Sequence, residues 1–179
     1  MNDFSSIPSL SEVRLLPDTH AMLAERQPVF DFTQDGADAA KLADLLTAAM
    51  LRFGGIGLAA NQIGIPTRAF AMMMHDRPVV LFNPVLLELD AETVSLEEGC
   101  LTFPDLFLNI ARPRGCRVIY HDRAGQRTND VLDGWDARVA MHEIDHLDGV
   151  VFTSKASRLH LQMQRERLRK AKKKAARRK

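Results

Sequence analysis

His142-Glu143-Ile144-Asp145-His146 is the stretch from which the rest of this 179-residue sequence is read. On a helix, residues four apart share a face, with Cβ atoms about 5–6 Å apart. Two neutral imidazoles so placed can grip one metal ion, and the intervening Glu143 can lean over the open side as a general base. The segment has helical flanks: an opening near Gly134, a body over residues 136–147, and a stop at Asp148-Gly149. Two histidines leave a metal site incomplete. The residue six places after His146 is Phe152, so an extended three-histidine pattern is absent. Glu166, twenty residues downstream, is embedded in Arg165-Glu166-Arg167 and reads as a solvated partner for Lys170. Cys100 remains, within Glu97-Glu98-Gly99-Cys100-Leu101. Its thiolate would complete a Cys/His/His set with a fourth position open, the mark of a catalytic and not a structural metal. Cys116 has no such setting and reads as a small buried hydrophobe.

Upstream lies Gly55-Ile56-Gly57-Leu58-Ala59-Ala60-Asn61-Gln62. In isolation this is close to a dinucleotide-binding loop, but such a loop follows a strand and opens a helix. Here a helix precedes it, and Gly64 and Pro66 arrive before another could propagate. Its glycines instead allow close backbone approach to another element and aim one amide side chain, Gln62. Before it, residues 1–34 are broken by Pro8, Pro17 and Pro28 and read as an arm around the body. A first helix follows, with acidic cap chemistry at Asp35-Gly36-Ala37-Asp38 and apolar spacing at Leu42, Leu45, Leu46, Ala49 and Met50. It should end near Gly54-Gly55. Residues 67–74 and 79–82 read as strands, and 117–121 with 126–132 as a hairpin. Met72-Met73-Met74 is expected as strand core, and Trp135 by default as helix core. His20, His75, His121 and His160 show no partner pattern and read as surface or loop residues. A third helix, from about Lys155, becomes rich in Lys and Arg. Helix, several strands, then helix is an α+β order and not a βαβ repeat.

Composition narrows the function. With 46% hydrophobic residues the chain can bury a core. The formal charge of +1 hides a partition: residues 165–179 hold ten Lys/Arg against Glu166, while the remaining 164 residues carry 14 basic and 22 acidic groups. An acidic body with a cationic tail should have two kinds of partner. No apolar run approaches the ~20 residues of a membrane helix, so no membrane role is expected. The N-terminus shows no basic start followed by an apolar stretch, so a secretory signal is not expected and a reducing cytoplasm is.

Three segments, GIGLAANQ (55–62), EGCLT (98–102) and HEIDH (142–146), resemble in order and spacing the motifs GxGLAAxQ, EGCLS and QHExDH of peptide deformylases. Leu16-Pro17-Asp18, Gln27-Pro28-Val29, Phe82-Asn83-Pro84, residues 134–138 and residues 147–152 extend the likeness over about 14–160. The resemblance implies a peptide-deformylase-like α+β fold: antiparallel sheets around a central HExxH helix, then a C-terminal helix. Residues 1–160 would be one catalytic domain and 161–179 a basic helical tail. It implies a hydrolase of protein biosynthesis that removes the formyl group from N-formylmethionine of nascent polypeptides. The nucleophile would be a metal-bound water, with Glu143 as general base. Cys100, His142 and His146 would hold one divalent ion, Fe²⁺ by family habit, with Zn²⁺, Ni²⁺ or Co²⁺ able to substitute. Gln62 and the Leu101 N–H would stabilise the oxyanion, and Gly57 completes the catalytic set. Ile56, Leu96, Trp135, Val139 and the His142 ring would line a methionine pocket, with Arg138 at its rim. Asp145 and Arg112 would form an ion pair bracing the ligand helix. The tail would reach the ribosome, whose RNA is polyanionic.

The chain departs from the family pattern at four places. Thr102 stands for the usual Ser, Met141 for Gln, Phe107 for a basic residue that helps hold substrate backbone, and Gly54 for an acid. Two other functions fit parts of the pattern. One is an HExxH metallopeptidase using Glu166 as its third ligand. The other is a ribosome- or RNA-binding protein on an inactive deformylase body.

Overall fold

The computed structural model describes residues 7–177; residues 1–6 of the expected arm and the last two of the tail lie outside the described residues. Helix α1 (Phe32–Arg52) is followed by β1 (Gly57–Ala59), β2 (Ala69–Met74), β3 (Arg77–Leu89), β4 (Thr93–Cys100), β5 (Phe103–Pro113), β6 (Gly115–His121), β7 (Arg127–Asp133), α2 (Gly134–Leu147) and α3 (Arg158–Ala176). All pairings are antiparallel, in a five-stranded sheet ordered β1-β2-β3-β6-β7 and a separate β4-β5 hairpin. This is the expected α+β architecture.

The period-2 alternation of β2 divides the core. Ala69 and Ala71 face α1, joining Leu42, Leu46, Met50 and Phe82; Phe70 and Met72 face α2, joining Val139, Ala140, Ile144 and Leu147. The large sheet therefore lies between the two helices. The five α1 positions read from the sequence are all buried. Phe103, Leu106, Leu108 and Ile110 of the hairpin form a third cluster with Phe152, against which Leu161 and Leu168 seat the root of α3.

Several boundaries differ from those read in the sequence. Helix α1 opens three residues before Asp35, because Asp31 supplies the cap by accepting from the Thr33 N–H. Strand β3 does not end at Phe82. Asn83 takes a left-handed φ of 51° at a bulge that absorbs Pro84, and its amide exchanges two hydrogen bonds with the Phe30 backbone, pinning the arm. Helix α3 opens at Arg158, capped by Ser157. The β4-β5 hairpin is absent from the sequence reading, although Leu106, Leu108 and Ile110 alternate with exposed residues and are buried. Trp135 is exposed, not core. His75 and His20 do have partners: His75 lies 3.1 Å from Asp136, and His20 caps a short 3-10 turn. Among the described residues, no helix is long and apolar enough to cross a membrane.

Candidate active site

Helix α2 carries His142, Glu143 and His146 on its buried face. The end of β4 brings Cys100 to them. The Cys100 sulfur lies 3.2 Å from His146 Nε2, the two imidazole centroids are 5.1 Å apart, and the three potential ligand atoms fall within 4.8 Å of one another. One thiol and two imidazoles at this spacing suit a borderline-soft divalent cation. Glu166 lies exposed on α3 and outside this group, so the ligand set read for a peptidase is not assembled.

His142 is oriented by a residue missed in the sequence. Glu98, buried on β4, lies 3.0 Å from His142 Nδ1 and accepts from Arg112 Nε at 2.6 Å and Nη2 at 3.0 Å. Arg138 Nη1 adds a fourth contact at 2.6 Å. With Nδ1 engaged, the ring's other nitrogen is the one left for a metal. Burial raises the Glu98 carboxyl, but these hydrogen bonds outweigh it and hold the group down at about 2. Burial opposes the charge of His142, but its contacts with Cys100 and Glu98, and the nearby Glu143, outweigh that and raise the imidazole above its ordinary range. His146 has no such carboxylate, and burial drives it well below the ordinary imidazole range. Arg112 reaches on to Asp145 at 2.7 Å, the ion pair read from the sequence, and Lys155 closes on Asp145 from the other side at 3.0 Å.

Glu143 stands at the floor of the cleft. Its Oε2 is buried with no hydrogen-bond partner, and burial pushes its carboxyl up to about 7 although the neighbouring His142 charge pulls it down. A partnerless buried carboxylate oxygen beside a Cys/His/His cluster fits a cation and a water held there. Gly57 makes the position possible, since a Cβ at that residue would come 2.4 Å from Glu143 Oε1.

Gln62 is fixed from both ends. Its Oε1 accepts from the Ala59 N–H at 2.8 Å, which turns Nε2 toward Thr102 Oγ1 at 3.1 Å and the Cys100 sulfur at 3.4 Å. Thr102, standing for the usual Ser, accepts this hydrogen bond with its hydroxyl. Met141 is buried among apolar side chains.

The cleft above these residues encloses about 610 Å³. Ile56, Leu101, Phe107, Trp135, Val139 and His142 line it, and Gly54 and Leu15 stand at its edge. Two sequence expectations are corrected. Leu96 is not part of the lining; it faces Ile110 across the hairpin. Arg138 is not at a solvent rim: it is 3% exposed and donates to the Ile110 and Val94 carbonyls as well as to Glu98, because one guanidinium can satisfy three buried acceptors there.

Comparison with known proteins agrees with this geometry. The polypeptide deformylase family model matches residues 11–162. The peptide deformylase of Thermotoga petrophila is 42% identical over 117 residues, 65% of this chain and 71% of that protein. That of Agrobacterium fabrum is 38% identical over 135 residues, covering 73% and 79%. The crystal structure of Thermotoga maritima peptide deformylase superposes with a TM-score of 0.75 at 36% identity, over 81% of this chain and 97% of that one. The Synechococcus elongatus enzyme, in complex with actinonin, gives 0.81 at 29% identity over 87% and 85%. With its three motifs converging on one cleft, the chain belongs to the polypeptide deformylase family.

Proposed function

We propose that this chain removes the formyl group from N-formylmethionine at the start of nascent polypeptides, by hydrolysis assigned to the residues below. The observation that carries the reading is the Cys100, His142 and His146 cluster beside the partnerless Oε2 of Glu143, at the floor of an apolar cleft. A divalent ion held by those three side chains, Fe²⁺ by family habit with Zn²⁺, Ni²⁺ or Co²⁺ as substitutes, supplies Lewis acidity and a water nucleophile acidic enough to act near neutral pH.

Everything else falls to the protein. Glu143 takes the proton released by the attacking water and later delivers it to the departing amine. A carboxyl lifted toward neutrality by burial is suited to both transfers, and a cation beside it would lower it again, toward a base. Gln62 Nε2 and the Leu101 N–H donate to the formyl oxygen as it gains negative charge. Because Gln62 is already locked by Ala59 and Thr102, it needs no reorganisation at that moment. Ile56, Trp135, Val139 and the His142 ring receive the methionine side chain. Glu98, itself held by Arg112 and Arg138, orients the His142 ring, and Asp145 anchors Arg112.

Residues 1–160 act as the catalytic unit, and 161–179 as a basic helical tail. Its exposed cations, from Arg165 to Arg177, suit rRNA at the site where nascent chains emerge, in the cytoplasm. The deciding experiment is anaerobic turnover of a formyl-Met dipeptide after loading with Fe²⁺ or Co²⁺. Formate release that is blocked by actinonin, the ligand seen in the Synechococcus enzyme, is the expected result. A folded, metal-loaded protein that releases no formate would overturn the reading and favour a non-enzymatic ribosome-binding role.

A further inference from the structure

Asn61 joins the loop that carries Gln62 to the helix that carries the imidazoles. It stands in the short 3-10 turn Ala60–Ile63, directly before Gln62, and is fully buried. Its Nδ2 donates to the His146 carbonyl at 2.8 Å and reaches the Met22 carbonyl at 3.5 Å. Carbonyls only accept, so two of them on one side settle which end of the amide is nitrogen. The His146 carbonyl is among the last four of α2, which have no partner a turn further on, and the Gly149 N–H shares it at 3.2 Å. Asn61 Oδ1, the other end of the amide, is buried and has no hydrogen-bond partner among the described residues.

His146 has the complementary need. Its Nε2 lies 3.2 Å from the Cys100 sulfur and so faces the metal group. A nitrogen that binds a metal carries no proton, so the neutral ring keeps its proton on Nδ1. That Nδ1 is buried and has no acceptor among the described residues, whereas Nδ1 of His142 faces Glu98. Buried polar groups are rarely left unpaired. Of the buried side-chain acceptors without a partner, Asn61 Oδ1 is the one whose residue already bonds to His146. Resting on the metal site read above, we propose that Asn61 is the positioning residue of His146: Oδ1 accepts from the Nδ1–H, directly or across one buried water, while Nδ2 holds the carbonyl of the same residue. The two bonds together fix the tautomer and the rotation of the ring. A neutral amide behind His146, against the carboxylate behind His142, supports the second imidazole without placing another negative charge beneath the ion. Because Gln62 follows Asn61 directly, the turn that seats this ligand also seats the oxyanion donor.

The test uses two substitutions in the full chain. Asn61→Leu removes both halves of the amide, whereas Asn61→Asp keeps an acceptor of the same reach. Zn²⁺ affinity, measured by competition with a chelator, should fall about 10–100-fold in Asn61→Leu and stay within about threefold of the parent in Asn61→Asp. A role confined to fastening the end of α2 predicts equal losses in the two. In the Zn²⁺-loaded parent, long-range ¹H–¹⁵N spectra should show the His146 Nδ1 proton as a slowly exchanging signal, and that signal should shift in Asn61→Leu. Parent-like Zn²⁺ affinity in Asn61→Leu, a loss in Asn61→Asp as large as in Asn61→Leu, or a freely exchanging Nδ1 proton in the parent would each overturn the inference while leaving deformylation intact. The last measurement needs no variant and decides the matter even if Asn61→Leu does not fold. A folded parent that takes up no Zn²⁺, Fe²⁺ or Co²⁺ would instead overturn the metal site, and this inference with it.

Discussion

Gly57 offers the sharpest single-atom test of the catalytic geometry. Replacing it with Ala places a methyl 2.4 Å from Glu143 Oε1, 2.9 Å from its carboxyl carbon and 2.9 Å from a Val139 methyl. Ordinary contact begins at 3.4 Å, so the carboxylate must move by about 1 Å. Strand β1 cannot retreat instead, because Gly57 is paired with Met72 inside the antiparallel ladder. Glu143 sits at the end of a flexible side chain and can swing away, so the fold survives. The lost glycine flexibility stabilises by about 0.4–1 kcal/mol and the crowding costs about 1–3 kcal/mol, leaving a net loss near 1–2 kcal/mol. A 1 Å displacement of a catalytic group costs on the order of 10²-fold in rate. The assay is kcat for formyl-Met-Ala with metal content and melting temperature measured on the same sample. Gly36→Ala is the control, since no atom lies within 4 Å of the added methyl; it should leave turnover unchanged. A folded, fully metallated Gly57→Ala protein with kcat within threefold of the parent would refute the claim that this glycine exists to seat Glu143.

Other outcomes follow from the same site. Glu143→Ala should retain metal and lose turnover by more than the 10²–10³-fold typical of losing one oxyanion donor, measured by steady-state kinetics on metal-quantified protein. Cys100→Ser should abolish stoichiometric metal uptake in an equilibrium dialysis, because the thiolate is one of the three proposed ligands. Glu98→Gln should destabilise the protein by about 3 kcal/mol at pH 7, since it strips the charge partner from two buried guanidiniums. The folded carboxyl is depressed, so its contribution is present above the ordinary 4.5 and lost as pH falls toward 2. The melting-temperature gap between parent and variant should therefore close over that interval and stay constant above it. Deleting 165–179 should spare dipeptide turnover yet weaken ribosome co-sedimentation at low salt; unchanged co-sedimentation would refute the tail's role.

Much of this molecule was legible in the residues. The apolar spacing of α1, the flanks of α2 and the HExxH register are local patterns, set within a few residues of one another. The metal group was equally accessible, because few residue types can serve as a third ligand. The hairpin 93–113 was not read, though Leu106, Leu108 and Ile110 carry the period-2 signal that could have found it. Glu98 opens the EGCLT motif, but nothing local to it indicates that it engages His142. Its burial depends on Arg112, 14 residues away on the facing strand of the same hairpin, and on Arg138, 40 residues away, which meets it only once the hairpin docks on α2. The same long-range pairing took Arg138 from an expected rim position into the interior. Leu96 was misplaced for a related reason: membership of a pocket wall depends on strand register, which composition does not report.

Arg138 fastens the hairpin to the catalytic helix through two main-chain carbonyls, those of Val94 and Ile110, in addition to Glu98. A carbonyl is the same whatever side chain its residue bears. The joint is thus largely blind to hairpin sequence, and residues that face the cleft, Phe107 among them, can drift without loosening the helix that holds the imidazoles. A family built on this joint can retune which newborn chains it processes, by point substitutions in one hairpin, while the chemistry beneath stays fixed.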